Sequence, residues 1–573
     1  MESLSGSTVF RTDVDGVPCF WVRSGRPTLT ARLLFRTGAA DESLHESGWT
    51  HLLEHLALHD RDGGGLQVNG SVSVLHTAFD AVGSPEAVAA FLTGVASWVS
   101  GPDLAELDRE RRVLAVEAQQ GTSAARRAFT WRYGACGPGI IGLSELGLGR
   151  ATAERLSERA RRIFTRGNAA LVLDGPPPAD LDLALPEGSL VPPCAAESLI
   201  SRPFVYRDTG IVISGVVPRS GRAGVLADLL RRSLIRRLRH EDGSAYSPWA
   251  WYEPVDADHG VVLAGADIST QGLNDAADRV YDELQNFGRD GWVDERLVDI
   301  RLEREQALLD PFGWIGLAHA AARSHLDQRP IRTLEEELAE IRSATPGDIH
   351  ADLVQLRNSL LLAVPHDATW SRPLPTLIPP RSEVGLNSGA RSINWPSDRS
   401  RLLVTDEAIT MGTQDHRRSI KVDDVAAVLT YPEGLRILLD REAWSMNLEP
   451  SVWQGGDDVV ARIDAMFPPD LYLPQPPHEQ PPATRISAWR RWRWVALDKA
   501  LVPLGLTVSA LLMLSLPVFM WASFTRRLTV PVVWGGWFIA AVGFGIGRES
   551  LREYRDRRDR KRELRAQDVL VSR

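Results

Sequence analysis

The chain has 573 residues, roughly enough for three or four domains, and a formal net charge of −9 at pH 7. This charge disfavours a general nucleic-acid-binding surface. The three scattered cysteines, without any C-x-x-C, do not indicate a disulfide scaffold or an oxidising compartment. The polar, acidic N-terminus lacks the apolar stretch of a secretory signal.

Residues 1–173 are expected to form the first domain. Apolar runs at 8–12, 19–22 and 29–35 predict strands. Ser84-Pro85-Glu86 has the residue types of a helix N-cap and first turn. The domain should therefore combine a sheet with several helices.

One predicted helix in this domain carries an unusual polar face. On a helix, the segment GWTHLLEHLALHD (Gly48–Asp60) places Trp49, Leu52, Leu53, Leu56 and Ala57 on one side. The other side presents His51, Glu54, His55 and His59. The apolar side can pack on a core, which leaves two imidazoles one turn apart with a carboxylate between them.

This H-x-x-E-H arrangement suits a zinc site. Two neutral imidazoles at this spacing can bind one zinc ion, and the carboxylate of Glu54 can take a proton from a zinc-bound water. A five-residue pattern also arises by chance, so an ordinary leucine-rich helix with polar residues remains the alternative. A third ligand is needed to decide.

A second predicted helix, residues 103–120, offers that ligand. Glu110 and Glu117 are seven residues apart and fall on one face. This face could bring Glu117 to the metal and hold Glu110 behind it as a supporting carboxylate. Taken alone, the pattern favours an ordinary charged helix face, because several arginines accompany it.

Taken together, the two motifs resemble the insulinase/pitrilysin family of zinc peptidases. In that family H-x-x-E-H is followed by E-x6-E, as in ERRVLAVE (Glu110–Glu117), and the last glutamate is the third zinc ligand. The stretch NGSVSVLHTAF is similar to the family's edge strand. The resemblance implies that Asn69 and Gly70 lie where substrate backbone is held.

A second signature of the same family lies in the next expected domain, residues 202–365. LRHEDGSAYS (Leu238–Ser247) matches the family's R-x-x-x-G-x-A-Y turn. The resemblance implies that Arg239 and Tyr246 grip substrate and stabilise the oxyanion, because a cation and a phenol favour developing negative charge. The resemblance to this family extends over roughly residues 7–365.

The expected architecture of these two domains is α+β, with two similar α/β sandwich domains joined by a linker at 174–201. The second domain contains no H-x-x-E-H, so one Zn²⁺ per chain is expected. The family closes two such halves on each other. Since this chain holds one half, the resemblance implies a homodimer in which each zinc site faces Arg239 and Tyr246 of the partner.

The remainder of the chain is expected to change character twice. After a linker at 366–400, residues 401–468 indicate a small β-rich domain ending in a helix. It weakly resembles pleckstrin-homology-like modules, and a structural spacer is an equal alternative. Residues 469–499 are expected to be a proline-rich and basic linker, whose proline-rich part, PPDLYLPQPPHEQPP, should be stiff.

The last segments indicate a membrane anchor. Within residues 500–547, two runs without a charged residue, 501–524 and 528–547, are long enough to span a bilayer. Arginines flank the pair, and the basic tail 548–573 follows. The positive-inside rule then predicts a two-span protein of the cell membrane, with both termini and the catalytic domains in the cytoplasm and the tail against anionic lipid.

The sequence therefore predicts a membrane-anchored zinc metallopeptidase that hydrolyses peptides or unfolded segments, with no nucleic-acid partner. His51, His55 and Glu117 are the expected ligands, Glu54 the general base and Glu110 a supporting residue. A catalytically inactive, insulinase-like membrane scaffold is the alternative. A third possibility is that residues 401–468 bind lipid or a partner and regulate the peptidase.

Overall fold

The structure is a computed structural model that describes residues 2–3, 8–61, 65–119, 121–143, 145–266, 273–287 and 292–477. Both predicted spans and the basic tail lie outside these residues. Within the described part, no helix is both long and apolar enough to cross a bilayer.

The first domain is built on a seven-stranded sheet. Its strands are β1 (Glu2–Ser3), β2 (Phe10–Val14), β3 (Val17–Trp21), β4 (Leu29–Phe35), β5 (Gln67–Val72), β6 (Thr77–Gly83) and β7 (Ala169–Leu173). They are ordered β1-β2-β3-β7-β4-β6-β5, so β5 lies at the edge. The predicted strands at 8–12, 19–22 and 29–35 are confirmed within two residues.

Helices cover this sheet: α1 (Trp49–Leu58), α2 (Pro85–Ser100), α3 (Leu107–Gln119), α4 (Ala124–Tyr133) and α5 (Ala153–Ile163). The hydroxyl of Ser84 accepts a hydrogen bond from the Ala87 amide, which confirms the predicted start of α2. Helix α3 begins later than the predicted residue 103, because the Asp103 carboxylate accepts from the Ala105 amide and forms a local turn.

The second domain has a five-stranded sheet in the order β10-β11-β9-β12-β8. Its strands are β8 (Phe204–Asp208), β9 (Ile211–Pro218), β10 (Trp249–Pro254), β11 (His259–Ala266) and β12 (Leu361–Pro365). Its helices are α6 (Gly221–Leu234), α7 (Leu273–Asn286), α8 (Trp292–Leu309), α9 (Ile315–Leu326), α10 (Leu334–Ser343) and α11 (Pro346–Asn358). A π-helical turn, Ile235–Glu241, extends α6.

The two domains exchange one helix each. Helix α4 of the first domain packs on the second sheet, where Phe129 and Tyr133 join Val212, Leu263 and Leu361 in one buried cluster. Helix α9 of the second domain packs on β3 and β7 of the first sheet. Each sheet is thus buried on both faces, and the domains share their cores.

A C-terminal module follows, which we define as residues 382–475. It contains two four-stranded sheets and the helix α12 (Gly456–Asp464). The first sheet consists of β13 (Ala390–Arg391), β14 (Arg401–Val404), β15 (Ala408–Gly412) and β16 (Arg417–Lys421). The second consists of β17 (Val425–Thr430), β18 (Arg436–Asp440), β19 (Ser445–Leu448) and β20 (Tyr472–Pro474). Strands with a helix near the end agree with the prediction.

The predicted bounds of this module, 401–468, are too narrow. Strand β13 lies in the expected linker 366–400, and β20 lies in the expected proline-rich linker, where it pairs with β17 in parallel. Pro474 is compatible with this strand because β20 is at the sheet edge. Residues 375–377 also pair with Val205, so part of the expected linker covers the edge of the second sheet.

Candidate metal centre

The start of helix α1 is fixed by a buried carboxylate. Gly48 has φ 88° and offers no side-chain cap, so Glu42 takes this role and accepts from the amides of Gly48 at 2.8 Å and Thr50 at 2.7 Å. Burial raises the pKa of Glu42, and the charge of Arg159, 3.5 Å away, opposes that shift. The first turn, which carries His51, therefore has a well-defined position.

The two histidines of α1 and Glu117 of α3 meet at one point. One ligand atom from each of His51, His55 and Glu117 lies within 4.8 Å of the others. Nε2 of His55 is 3.9 Å from Oε1 of Glu117. The Glu117 side chain is about half exposed (49%), so the group faces solvent on one side.

A carboxylate lies beside the Nδ1 nitrogen of each histidine. Nδ1 of His51 contacts Glu145, and Nδ1 of His55 lies 3.4 Å from Glu110. An ionised carboxylate only accepts hydrogen bonds, so in a neutral imidazole this placement favours the tautomer with the proton on Nδ1, which leaves the lone pair of Nε2 free. Carboxylates placed in this way are typical of zinc-binding histidines. The residues present thus fit Zn²⁺ with three protein ligands.

Glu145 also changes the acid–base behaviour of His51. Burial alone would lower the pKa of His51, but the hydrogen bond to Glu145 and the charges of Glu145, Glu54 and Glu117 outweigh it and raise the pKa. The sequence did not point to Glu145, which lies 94 positions from His51. His59, on the same polar face of α1, lies 3.0 Å from Glu110.

Glu54 occupies a confined place beside the ligands. Its side chain is buried, with Oε2 3.7 Å from Nε2 of His51 and Oε1 against the backbone of Gly70. Burial raises the pKa of Glu54; Glu117 and Glu145 act in the same direction, and His51 and His55 oppose it. A carboxylate with a raised pKa is suited to accept and return a proton near neutral pH.

Beside this group is an open cavity of about 600 Å³, bounded by β5, the end of α3, Ile140, Ile141, Leu143 and Glu145. The edge strand β5 forms one wall, and it carries the predicted substrate residues Asn69 and Gly70. The predicted segment 69–79 includes the end of β5, a turn and the start of β6. An edge strand has free backbone groups to which an extended peptide can add.

Arg239 and Tyr246 lie in the second domain, on the π-helical turn and just after it. The Arg239 guanidinium is 5.3 Å from the centre of the Tyr246 ring, and Tyr246 is 82% exposed. In the described part of the chain, neither residue lines the 600 Å³ cavity or contacts the ligands. The structure pairs them with each other but not with the His51 cluster.

Known structures with this fold support the architecture. A protease from Helicobacter pylori is 14% identical, matches 63% of this chain and 100% of its own, and has a TM-score of 0.52. An M16 peptidase inactive domain from Pseudomonas fluorescens is 13% identical, matches 64% of this chain and 100% of its own, and has a TM-score of 0.50. The fold is that of M16, or pitrilysin-like, peptidase domains. No protein-family model and no curated protein sequence matches the chain.

Proposed function

We propose that this protein is a membrane-anchored zinc metallopeptidase that hydrolyses peptides or unfolded segments. The observation that carries the proposal is the arrangement around His51 and His55. Both Nδ1 atoms face carboxylates, both rings approach Glu117, and the buried carboxylate of Glu54 lies alongside.

His51, His55 and Glu117 would hold the ion. When bound, Zn²⁺ lowers the pKa of a coordinated water to about 7 and polarises a carbonyl. Glu54 takes a proton from the attacking water and delivers it to the amine that leaves. Because Glu54 is buried against Gly70, its carboxylate is confined close to the place where the water reacts.

Substrate would bind as an added strand beside β5. This mode uses backbone hydrogen bonds, so it accepts many sequences but requires an extended, unfolded segment. The cavity beside Gly70 and His51 provides the space for such a segment. Folded proteins are poor substrates for this geometry.

Oxyanion stabilisation by Arg239 and Tyr246 would require a second copy of the chain. The high exposure of Tyr246 and its pairing with Arg239 leave both groups accessible to a partner. We therefore retain a homodimer, with each metal site facing the Arg239–Tyr246 pair of the other chain, as part of the proposal.

Two further parts of the proposal come from the sequence alone. Two spans within 500–547 would anchor the chain in the membrane, with the catalytic domains in the cytoplasm. The basic tail would contact lipid. The uncharged runs 501–524 and 528–547 and their arginine-rich flanks support both. Hydrolysis would then take place next to the membrane, where tails of membrane proteins are available as substrates.

A catalytically inactive scaffold is the competing function. One protein of similar fold is described as an M16 inactive domain, so this fold exists without activity. The complete set of His51, Glu54, His55 and Glu117 in one site favours the enzyme here.

The test is zinc content and peptide hydrolysis of the full-length chain in detergent. Wild type should bind about one zinc per chain and cleave a mixture of unstructured fluorogenic peptides. Glu117→Ala should lose zinc, and Glu54→Gln should keep zinc but lose turnover, because an amide cannot accept the proton. A folded wild-type protein that takes up no zinc would support the scaffold and reject the enzyme.

A further inference from the structure

The loop that carries Glu145 has an uncommon backbone conformation and packs closely against the start of α1. Glu145 has φ 44°, a left-handed conformation that residues other than glycine seldom adopt. Its side chain passes Gly48 so closely that a Cβ on residue 48 would be 2.7 Å from Cβ of Glu145. A position of this kind persists only where the surroundings hold it in place.

The first domain provides one side of that support. Trp49 donates from Nε1 to the Gly147 carbonyl at 2.9 Å, and the Gly147 amide donates to the Ser47 carbonyl at 3.1 Å. These bonds connect the loop to the beginning of α1. They do not involve Glu145 itself.

The C-terminal module provides the other side. The Gln475 side chain donates to the Leu146 carbonyl at 2.9 Å. Arg150 donates to the carbonyls of Pro469 at 3.0 Å and Asp470 at 2.9 Å, and to the Asp470 carboxylate at 3.0 Å. The loop residues on either side of Gly147 are thus bound to the segment leading into and out of β20.

The module is docked through an apolar contact as well. Leu44 and Ile140 of the first domain share a buried cluster with Leu429, Leu439 and Leu473 of the module. The Ala135 amide also donates to the Arg441 carbonyl at 2.9 Å. Buried apolar area and backbone hydrogen bonds make this a fixed interface and not a loose tether.

We propose that the C-terminal module supports the metal centre: it holds residues 145–150 so that Glu145 orients His51 for zinc. This inference rests on the proposed zinc site and gives a role to a module that the peptidase chemistry leaves unused. Glu145 is here a positioning residue, which acts through His51. Loss of the module's contacts should weaken zinc binding although no module residue touches the ligands.

The test measures zinc affinity of the full-length chain in detergent by competition with a chromophoric chelator. Glu145→Gln should weaken zinc binding by about tenfold or more, the range known for residues that orient metal ligands. Glu145→Asp keeps a carboxylate and should recover part of that loss. The pair Arg150→Ala with Gln475→Ala, which removes the side-chain hydrogen bonds between residues 145–150 and the module, should weaken binding several-fold.

The matched control changes the same residue types inside the module. Arg462→Ala with Gln414→Ala removes an exposed contact to Asp406 and one to Asn387, both within the module, and should leave zinc affinity unchanged. Adding the Arg150 and Gln475 changes to Glu145→Gln should produce no further loss, because both act through Glu145. Circular dichroism without zinc checks that each variant is folded, and Gln475→Ala alone replaces the pair if the pair does not fold.

Each result decides between distinct conclusions. Wild-type zinc affinity in Glu145→Gln would overturn the positioning role, and wild-type affinity in the interface variants would overturn the role of the module. Additive losses would also overturn the module's action through Glu145. Failure of wild type itself to bind zinc would instead reject the proposed function together with this inference.

Discussion

The carboxylate of Glu54 lies directly against Gly70, where a Cβ on residue 70 would be 1.6 Å from Oε1 of Glu54. A side chain at this position would therefore displace the carboxylate of Glu54, the proposed general base. Helix α1 and edge strand β5 contact each other here without a side chain from residue 70 between them. The proposed site for substrate backbone and the proposed proton acceptor share this contact.

Gly70→Ala should therefore lower kcat by about 100-fold, because a displacement of about 1 Å at a reacting group can cost that much. Zinc content should stay near that of wild type, since none of the three ligands is changed. Peptide hydrolysis and zinc analysis on the same preparation measure the two effects. Gln67→Ala, at an exposed position of β5 outside the cavity lining, is the control and should change kcat less than twofold. Wild-type activity of Gly70→Ala would contradict the need for this close contact with Glu54.

The sequence alone could predict those parts of this site that depend on residues close together in the chain. The segregation of polar and apolar residues predicted α1, and the spacing of Glu110 and Glu117 predicted their common face, because both are properties of one helix. Glu145 had no such signal: it reaches His51 through a loop with a left-handed residue, and no local periodicity encodes that contact. Gly70 was found only through resemblance to a family.

The fold shows the same division. Hydrophobic patterns located the strands β2, β3 and β4 and helix α1, but they could not show that α4 and α9 each pack on the sheet of the other domain. An amphipathic pattern identifies which face of a helix is buried, and not which surface buries it. The β20 strand was missed because proline normally argues against a strand, and only its edge position permits it.

The helix exchange predicts a strong dependence of stability on Arg132. This α4 side chain is fully buried and donates to the carbonyls of Ser214 at 2.7 Å and Ser359 at 2.9 Å in the second domain. Arg132→Met should lower the free energy of unfolding by about 2 to 3 kcal/mol, because these buried acceptors lose their donors. Chemical denaturation followed by tryptophan fluorescence measures the change.

Arg126→Met is the matched control for that experiment. Arg126 lies on the same helix but is exposed, so its replacement should change the free energy of unfolding by less than about 0.5 kcal/mol. Equal stability of the Arg132 variant and wild type would show that α4 does not depend on its contacts with the second sheet.

The contact between α9 and the first sheet predicts a loss of stability in acid. Burial, followed by the charges of Arg32 and Arg323, lowers the pKa of His319 to about 3, well below its ordinary value of 6.5. Between these two pH values the unfolded chain binds a proton that the folded chain does not. The free energy of unfolding should then fall by about 1.4 kcal/mol per pH unit below about pH 6.5 from this group alone.

Denaturation midpoints at pH 7.5, 6.5 and 5.5 measure this dependence. His319→Gln should reduce the slope below pH 6.5, because glutamine does not take up a proton. His350→Gln, at an exposed position of α11, should retain the wild-type slope. A His319→Gln protein with the full slope would assign the acid sensitivity to other groups, such as His76, whose pKa burial also lowers.

The proposed homodimer predicts that two inactive chains can restore each other's activity. Glu54→Gln removes the base but leaves Tyr246 intact, and Tyr246→Phe does the opposite. Each homodimer should be inactive or strongly impaired. In a mixed dimer, one of the two sites combines the intact Glu54 of one chain with the intact Tyr246 of the other.

Co-expression with two different affinity tags and sequential purification should yield mixed dimers with up to half of the wild-type activity per dimer. If Tyr246 acted within its own chain, every site in the mixed dimer would lack one group, so activity no higher than in the two homodimers would reject the shared site. The same purification decides the oligomeric state, since chains that do not associate would yield no doubly tagged protein.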